Sequence, residues 1–107
     1  MVKYRGNSLD RKFQALSDET RRKILILVLL EEKTVSEISA EFTISMPAIS
    51  KHLRVLEDSG LITRRKNGRN YFIKGVRSAF EEVSVLVNYY ETFWTKNLNS
   101  LAKYLEE

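Results

Sequence analysis

The chain has 107 residues, which suits one domain, and its hydrophobic (43%) and charged (30%) fractions are those of a globular protein rather than a disordered one. Cysteine is absent, which excludes disulfides, thiolate metal sites and a cysteine nucleophile and fits a cytoplasmic location. The longest apolar run, at 24–30, has seven residues, whereas a membrane helix needs about 20. We therefore expect neither a membrane span nor a signal peptide.

The net charge of +4 is distributed unevenly along the chain. Residues 51–74 include seven basic and two acidic residues, whereas residues 79–107 include two basic and five acidic ones. A basic block beside an acidic one indicates a polyanion partner for the basic block only. On charge alone, nucleic-acid binding and an uneven solvated surface are equal alternatives.

The spacing of apolar residues predicts two helices in the first 30 residues. Leu9, Phe13 and Leu16 fall at intervals of four and three, so they share one face of a first helix. Ser17 is an N-cap candidate for a second helix that runs to Leu30. Its apolar run predicts burial nearly all round, and a buried strand is the alternative that periodicity leaves open.

A short helix and a tight turn come next. Thr34 and Glu37 match a capping box, in which each side chain bonds to the backbone of the other residue. The helix that they begin ends near Phe42, and the two following residues suffice only for a tight turn.

Ser45 is the N-cap of the next helix, and Pro47 lies in its first turn, where a missing N–H is harmless. Gly60 is placed to end the helix in the left-handed conformation. The helix buries a stripe at spacings of four and three, formed by Ile49, Leu53 and Leu56.

A hairpin and a long helix complete the chain. Asn67-Gly68 separates two β-prone runs, 61–66 and 69–74, which is the strongest short signal for a β-hairpin. From about Ala79, apolar residues recur every three or four positions to the end of the chain. This helix spans roughly 40 Å at 1.5 Å per residue, more than a small core needs.

The predicted order is that of a mostly α protein with a small β-hairpin wing, a winged helix-turn-helix. One domain covers residues 1–107, with the helix-turn-helix at about 34–59, the wing at about 61–74 and the last helix at about 79–106. Phosphate-binding glycine loops, nucleophile elbows and zinc-protease motifs are absent from the sequence, so we expect no enzyme.

The second helix of the pair suits a DNA groove. Its first turns carry small residues for close approach, hydroxyl and imidazole groups for base edges, and cations for phosphates. Wing cations reach phosphates or the minor groove. The predicted DNA-binding residues are Ser45, Met46, Pro47, Ala48, Ser50, Lys51, His52 and Arg54 in the helix and Arg64, Arg65, Lys66 and Arg69 in the wing.

Each of these assignments has an alternative. His52 is the single histidine and is otherwise an incidental surface residue, while the Ser50 hydroxyl is otherwise bonded to a carbonyl one turn back. The wing cations are otherwise edge-strand charges that block aggregation. Clustering around one turn favours DNA for the wing as a whole.

Residues 13–69 resemble the ArsR/SmtB family of winged-helix repressors. The matching segments are FQALSDETRRKIL (13–25), SMPAISKHLRVLEDSGLI (45–62) and RKNGR (65–69). The resemblance implies a homodimer built on the first and last helices that binds an imperfect palindrome in promoter DNA and represses transcription. We expect the dimer interface to include Leu9, Phe13, Leu16, Phe80, Val83, Val87, Tyr90, Trp94, Leu98 and Leu101.

The chain departs from the metal-sensing members of that family. Thr-Val-Ser (34–36) stands where the sensors carry a cysteine pair, and the last helix has Glu81, Glu82 and Glu91 but no histidine. Soft and borderline metals require thiolate or imidazole ligands, so we expect no metal and no cofactor. The resemblance is to the cysteine-free branch, which includes autorepressors regulated by a partner protein or an unknown signal.

Two further interpretations concern the last helix, and two rival functions remain open. Glu81 and Glu82 are expected in its first turn, where the helix dipole favours negative charge. The aromatic residues Tyr89, Tyr90, Phe93 and Trp94 are assigned to the dimer core rather than to a ligand pocket. The rival functions are a winged helix that binds another protein through this helix, and a metal sensor with an oxygen-only site.

Overall fold

The computed structural model describes residues 8–106. The elements in chain order are α1 (Ser8–Ala15), α2 (Glu19–Leu30), β1 (Lys33–Thr34), α3 (Val35–Ser39), α4 (Met46–Asp58), β2 (Ile62–Asn67), β3 (Asn70–Gly75) and α5 (Arg77–Glu106). This is the predicted winged helix-turn-helix, in which α3 and α4 are the helix pair and β2 and β3 form the wing. No helix of the described chain is long and apolar enough to span a bilayer.

The second element is a helix, but its N-cap differs from the prediction. Asp18, not Ser17, caps α2, because its Oδ2 accepts the backbone N–H of Arg21 at 3.0 Å. The Ser17 hydroxyl instead donates to the Gln14 carbonyl at 2.7 Å, just after the end of α1.

The prediction that α2 is buried nearly all round is wrong. Ile24, Leu25 and Val28 are buried, whereas Ile26 is 54% and Leu30 81% exposed. Only one face of α2 packs on the rest of the chain, where it meets α4 and β3. A continuous apolar run hides that asymmetry, because every position looks equally suited to burial.

The capping box at α3 is present, and it coincides with a strand that sequence reasoning missed. Thr34 Oγ1 accepts the Glu37 N–H at 3.1 Å, and Glu37 Oε1 accepts the Thr34 N–H at 2.8 Å. Thr34 also belongs to β1, which pairs antiparallel with β3 opposite Phe72. The sheet therefore has three strands in the order β1-β3-β2. The helix α3 ends at Ser39, three residues before the predicted Phe42.

The hairpin turn lies one residue later than predicted. Asn67 pairs with Asn70, so the two loop residues are Gly68 and Arg69 rather than Asn67 and Gly68. Gly68 has φ +65°, and no non-glycine residue in the described chain has positive φ. Positive φ at the first loop position alone is the pattern of a type II′ turn, not of type I′. The shift puts Arg69 at the tip of the wing.

The core lies between the helices and the sheet. Its largest fully buried side chains come from α2, α3, α4, the residue just before β2 and the sheet: Ile24, Leu25, Val28, Ile38, Ile49, Leu53, Leu56, Leu61, Ile62 and Ile73.

The long helix α5 begins at Arg77, two residues before the predicted start, and packs its first turns on α1. Because of that earlier start, its first turn contains no acidic residue, which corrects the expectation for Glu81 and Glu82. Glu82 instead forms an ion pair with the buried Lys12 of α1, whose Nζ lies 3.3 Å from Glu82 Oε1. The same ammonium donates to the Ser8 hydroxyl. A buried lysine within a helix gave no signal in the sequence.

The second half of α5 extends beyond the core. Every residue from Val87 to the end of α5 is exposed. The radius of gyration is 17.7 Å, whereas a compact domain of 100 residues has about 13 Å. The protomer thus presents a long helix that its own fold does not cover.

Candidate nucleic-acid interface

The recognition helix α4 is anchored by one buried face. Ser45 Oγ accepts the Ala48 N–H at 3.3 Å, which caps the helix. Ile49, Leu53 and Leu56 are each at most 1% exposed in the core. These three side chains fix the rotation of α4 about its axis, so the remaining positions must face outward.

The structure separates the eight residues predicted on α4 into two groups. Six are exposed: Ser45, Met46, Pro47, Ser50, Lys51 and Arg54. Ala48 and His52 are only partly exposed. Within residues 8–106, neither Lys51 nor Arg54 has an acidic partner at ion-pair distance, so both cations are available to an external anion.

His52 faces the start of α2 rather than open solvent. Its side chain is 20% exposed, and its Nδ1 lies 3.9 Å from Asp18 Oδ2. The same nitrogen lies 3.4 Å from Arg21 Nη1. The sequence could not show this contact, because 31 positions separate Arg21 from His52.

Arg21 and Arg22 hold the end of α1, a role that the sequence did not reveal. Arg21 Nε donates to the Ala15 carbonyl at 2.6 Å and its Nη2 to the Gln14 carbonyl at 3.3 Å. Arg22 Nη1 donates to the Leu16 carbonyl at 2.9 Å. The two guanidinium groups therefore satisfy carbonyls at the C-terminus of α1, which lack partners within that helix.

Asp18 is the acidic residue beside Arg21 and His52. The backbone N–H of Arg21, which donates to the carboxylate, lowers the pKa of Asp18 below its ordinary value of 3.8, and partial burial opposes that effect. The charges of His52 and Arg21 act in the same lowering direction. Asp18 is therefore a carboxylate at neutral pH, and it accepts from the start of α2.

Two of the four predicted wing cations are already paired within the protomer. Arg64 Nε lies 3.2 Å from Glu57 Oε1 of α4. Arg65 Nη2 lies 3.0 Å from Glu32 Oε1, just after α2. Each guanidinium thus has part of its charge neutralised before any partner arrives.

The other two wing cations have no acidic partner among the described side chains. Lys66 Nζ lies 5.7 Å from the centre of the Tyr71 ring, and Arg69 occupies the exposed tip. The wing cations therefore differ in what they can offer to a phosphate, although they looked alike in the sequence.

The predicted dimer residues are mostly uncovered in the protomer. On α1, Leu9 is partly exposed and Phe13 is 37% exposed. Leu16, predicted on the same helix, lies in the turn just after α1 and is also partly exposed. Val83 is 5% exposed and contributes to the protomer's own core, so it is not free to contact a partner. Six of the predicted α5 residues are exposed by a third or more: Phe80, Val87, Tyr90, Trp94, Leu98 and Leu101.

A second apolar strip lies beside these residues on α5. Val85, Tyr89 and Phe93 are 69%, 63% and 49% exposed and line a shallow groove with Lys96. Aromatic rings of the two strips meet edge to face, as in the Phe93–Trp94 pair, whose centroids lie 6.4 Å apart. In the described part of the chain, no three His, Asp or Glu side chains converge as metal ligands would.

Comparisons with known proteins agree with this architecture. The family model of bacterial regulatory proteins of the arsR family matches residues 18–64. An HTH-type transcriptional regulator of Mycobacterium tuberculosis is 32% identical over 101 residues, which cover 92% of this chain and 90% of that protein. The transcriptional repressor SdpR of Bacillus subtilis is 39% identical over 61 residues, which cover 57% of this chain and 68% of that protein.

A crystal structure of an ArsR-family transcriptional regulator matches with a TM-score of 0.74 and 34% identity, covering 83% of this chain and 98% of that one. The fold and the basic face of α4 define a DNA-binding regulator with a winged helix-turn-helix. The chain belongs to the ArsR family of transcriptional regulators, as the sequence resemblance predicted.

Proposed function

We propose that this protein is a homodimeric transcriptional repressor that recognises a palindromic operator in promoter DNA. The observation that carries the proposal is the outward face of α4, which presents Lys51 and Arg54 without acidic partners in the described chain. Cations on a helix that is anchored from behind suit phosphate contacts, which position a reading helix in the major groove.

The proposed dimer follows from the uncovered part of α5. Its apolar residues from Val87 to Leu101 lie exposed along a helix that extends past the core. A stripe of this length is costly to leave in water, and a second copy with the same stripe is a self-complementary partner. Two-fold symmetry then predicts half-sites whose centres are about 34 Å apart.

Repression, rather than activation, is supported by the likeness to SdpR, a transcriptional repressor by name. A dimer bound across a promoter excludes polymerase without any further domain. The proposed site of action is the cytoplasm.

The test is selection of bound duplexes from a random pool, followed by affinity measurements over a range of salt concentrations. We expect an inverted repeat to emerge and the affinity to fall steeply with salt, because phosphate contacts release counterions. A promoter reporter that carries the selected site should lose expression when the protein is present. A reporter that gains expression would instead establish an activator.

The second candidate function is a winged helix that binds another protein through the aromatic strips of α5. The exposure of Val85, Tyr89 and Phe93 beside the proposed dimer stripe favours it. Failure to bind any duplex at low salt, including the DNA upstream of its own gene, would favour this candidate over the repressor.

We also propose that the signal that releases the DNA is not a thiophilic metal. The sequence offers no cysteine and one histidine, and that histidine contacts Asp18 and Arg21. Operator affinity should therefore be unchanged by added zinc, cadmium or arsenite and by a chelator. A change of tenfold or more with any of them would establish a metal sensor.

A further inference from the structure

The recognition helix α4 contacts the start of α2 through His52, whose Nδ1 lies 3.4 Å from Arg21 Nη1. We propose that Arg21 is a positioning residue that holds the ring of His52 in one tautomer, with Nδ1 as acceptor inside the protein and Nε2–H as the donor offered to DNA. The DNA contact rests on the proposed function, whereas the tautomer is a property of the free protein.

The chemistry of arginine decides the tautomer. A guanidinium has N–H donors only and does not lose its proton in proteins. Arg21 Nη1 lies 3.4 Å from His52 Nδ1, within hydrogen-bond distance, whereas the acceptor Asp18 Oδ2, which would favour a proton on Nδ1, lies beyond it at 3.9 Å. A hydrogen bond from Arg21 requires a lone pair on Nδ1. In a neutral imidazole the proton then resides on Nε2.

Arg21 is itself held in place from three sides. Its side chain donates to the carbonyls of Ala15 and Gln14, and its backbone N–H donates to Asp18. A side chain with these contacts cannot swing away from His52 without losing bonds at the end of α1. The direction of the donor toward Nδ1 is thus set by the junction of α1 and α2.

Nε2 is the polar ring atom that remains for a partner. No protein group of the described chain is found within hydrogen-bonding distance of it, and the side chain keeps 20% of its surface exposed. His52 lies on α4 beside the exposed Lys51. An N–H donor at this place matches the acceptor oxygen of a phosphate or the acceptor atoms of a purine.

The first test needs no DNA. The chain has a single histidine, so long-range proton–nitrogen correlation spectra of the full-length protein show one imidazole ring. We expect the Nε2–H tautomer at a pH where the ring is neutral. A ring in the Nδ1–H form, or an even mixture of both forms, would overturn the proposal whether or not the protein binds DNA.

Arg21→Met and Arg22→Met form a matched pair. Both remove a guanidinium that donates to a carbonyl at the end of α1, but only Arg21 contacts His52. We expect Arg21→Met to give a mixture of tautomers and to weaken binding to the selected operator about tenfold, the effect of one good hydrogen bond. Arg22→Met should keep the tautomer and the affinity. Equal effects of the two substitutions would mean that Arg21 only caps the end of α1, and they would overturn the proposal.

A second pair keeps the proposal testable if Arg21→Met does not fold. The amide of Gln reaches the place of Nε2, whereas the amide of Asn reaches that of Nδ1. His52→Gln should therefore retain operator affinity within about threefold, and His52→Asn should lose about tenfold. The reverse order would refute Nε2 as the atom that contacts DNA. If the wild-type protein binds no duplex, the repressor function fails, while the spectra still decide the tautomer.

Discussion

Charged residues that look alike in the sequence differ at the scale of the single side chain. Arg64 and Arg65 are engaged by Glu57 and Glu32 within the protomer. Lys66 and Arg69 have no acidic partner in residues 8–106. A cation whose charge is already balanced releases fewer counterions from DNA than a free one.

This difference predicts an order among wing substitutions. Lys66→Ala should reduce the slope of log affinity against log salt by about one, because one phosphate contact is lost. Arg64→Ala should change the slope less, because Glu57 already balances part of the charge of Arg64. Titrations of the selected duplex at several salt concentrations give both slopes. A larger change for Arg64→Ala than for Lys66→Ala would contradict the assignment.

Asp18 predicts a pH dependence of folding. Its pKa is lowered in the folded state by the N–H of Arg21, so the carboxylate stabilises the fold above its ordinary value of 3.8. That contribution is lost as the pH falls through the lower, folded-state pKa.

The test compares the wild-type protein with Asp18→Asn, which keeps an N-cap side chain but cannot ionise. Urea unfolding between about pH 2 and pH 6 gives the free energy of unfolding of both proteins. The difference between them should be constant above pH 5 and should shrink toward the acid end, within the range of an aspartate titration. Curves that stay parallel throughout would show that Asp18 titrates alike in the folded and unfolded states.

At the scale of the element, local signals fixed what the sequence could predict. The helices α3 and α4 were found because Thr34, Glu37 and Ser45 act on backbone groups within three residues. The strand β1 was missed because two residues form no recognisable pattern. Its pairing with β3 depends on residues that are far away in the sequence. The same reason hid the contact of His52 with Arg21, which depends on how α4 packs on the start of α2.

A close approach between β3 and α2 gives a prediction about stability. A Cβ on Gly75 would lie 2.7 Å from Leu29 Cδ2 and 3.0 Å from Leu29 Cα. Gly75→Ala should therefore lower the free energy of unfolding by about 1–3 kcal/mol through overpacking, as measured by urea unfolding.

Leu29→Ala in the same chain supplies the control. It removes the side-chain part of the clash but not the backbone part, so the double variant should be more stable than the sum of the two single changes predicts. Strict additivity would mean that Leu29 does not limit the space at Gly75.

At the scale of the whole molecule, the uncovered helix α5 predicts a change of oligomeric state. Trp94 is 58% exposed on the proposed dimer stripe and lies outside the buried core. Trp94→Glu should convert a dimer into a folded monomer, because a carboxylate buried in the dimer interface is costly. Sedimentation measures the mass, and circular dichroism checks the fold.

Lys96→Glu is the matched control, since it places the same charge on an exposed residue of α5 beside the second apolar strip. It should leave the dimer intact. If both variants stay dimeric, the interface lies elsewhere. If only Lys96→Glu dissociates, the second strip carries the interface.

The double membership of Thr34 has a consequence for the DNA itself. Thr34 pairs with Phe72 in the sheet and caps α3, so the wing and the helix pair are tied together through one residue. The wing and the helix pair therefore keep a fixed separation. In the proposed complex the DNA must adjust its groove widths to match that separation. Duplexes differ in how easily they deform. We therefore expect sequence preferences at base pairs that lie between the contacts of α4 and those of the wing and that no side chain touches. They should be visible in the selected sequences as a bias toward flexible steps.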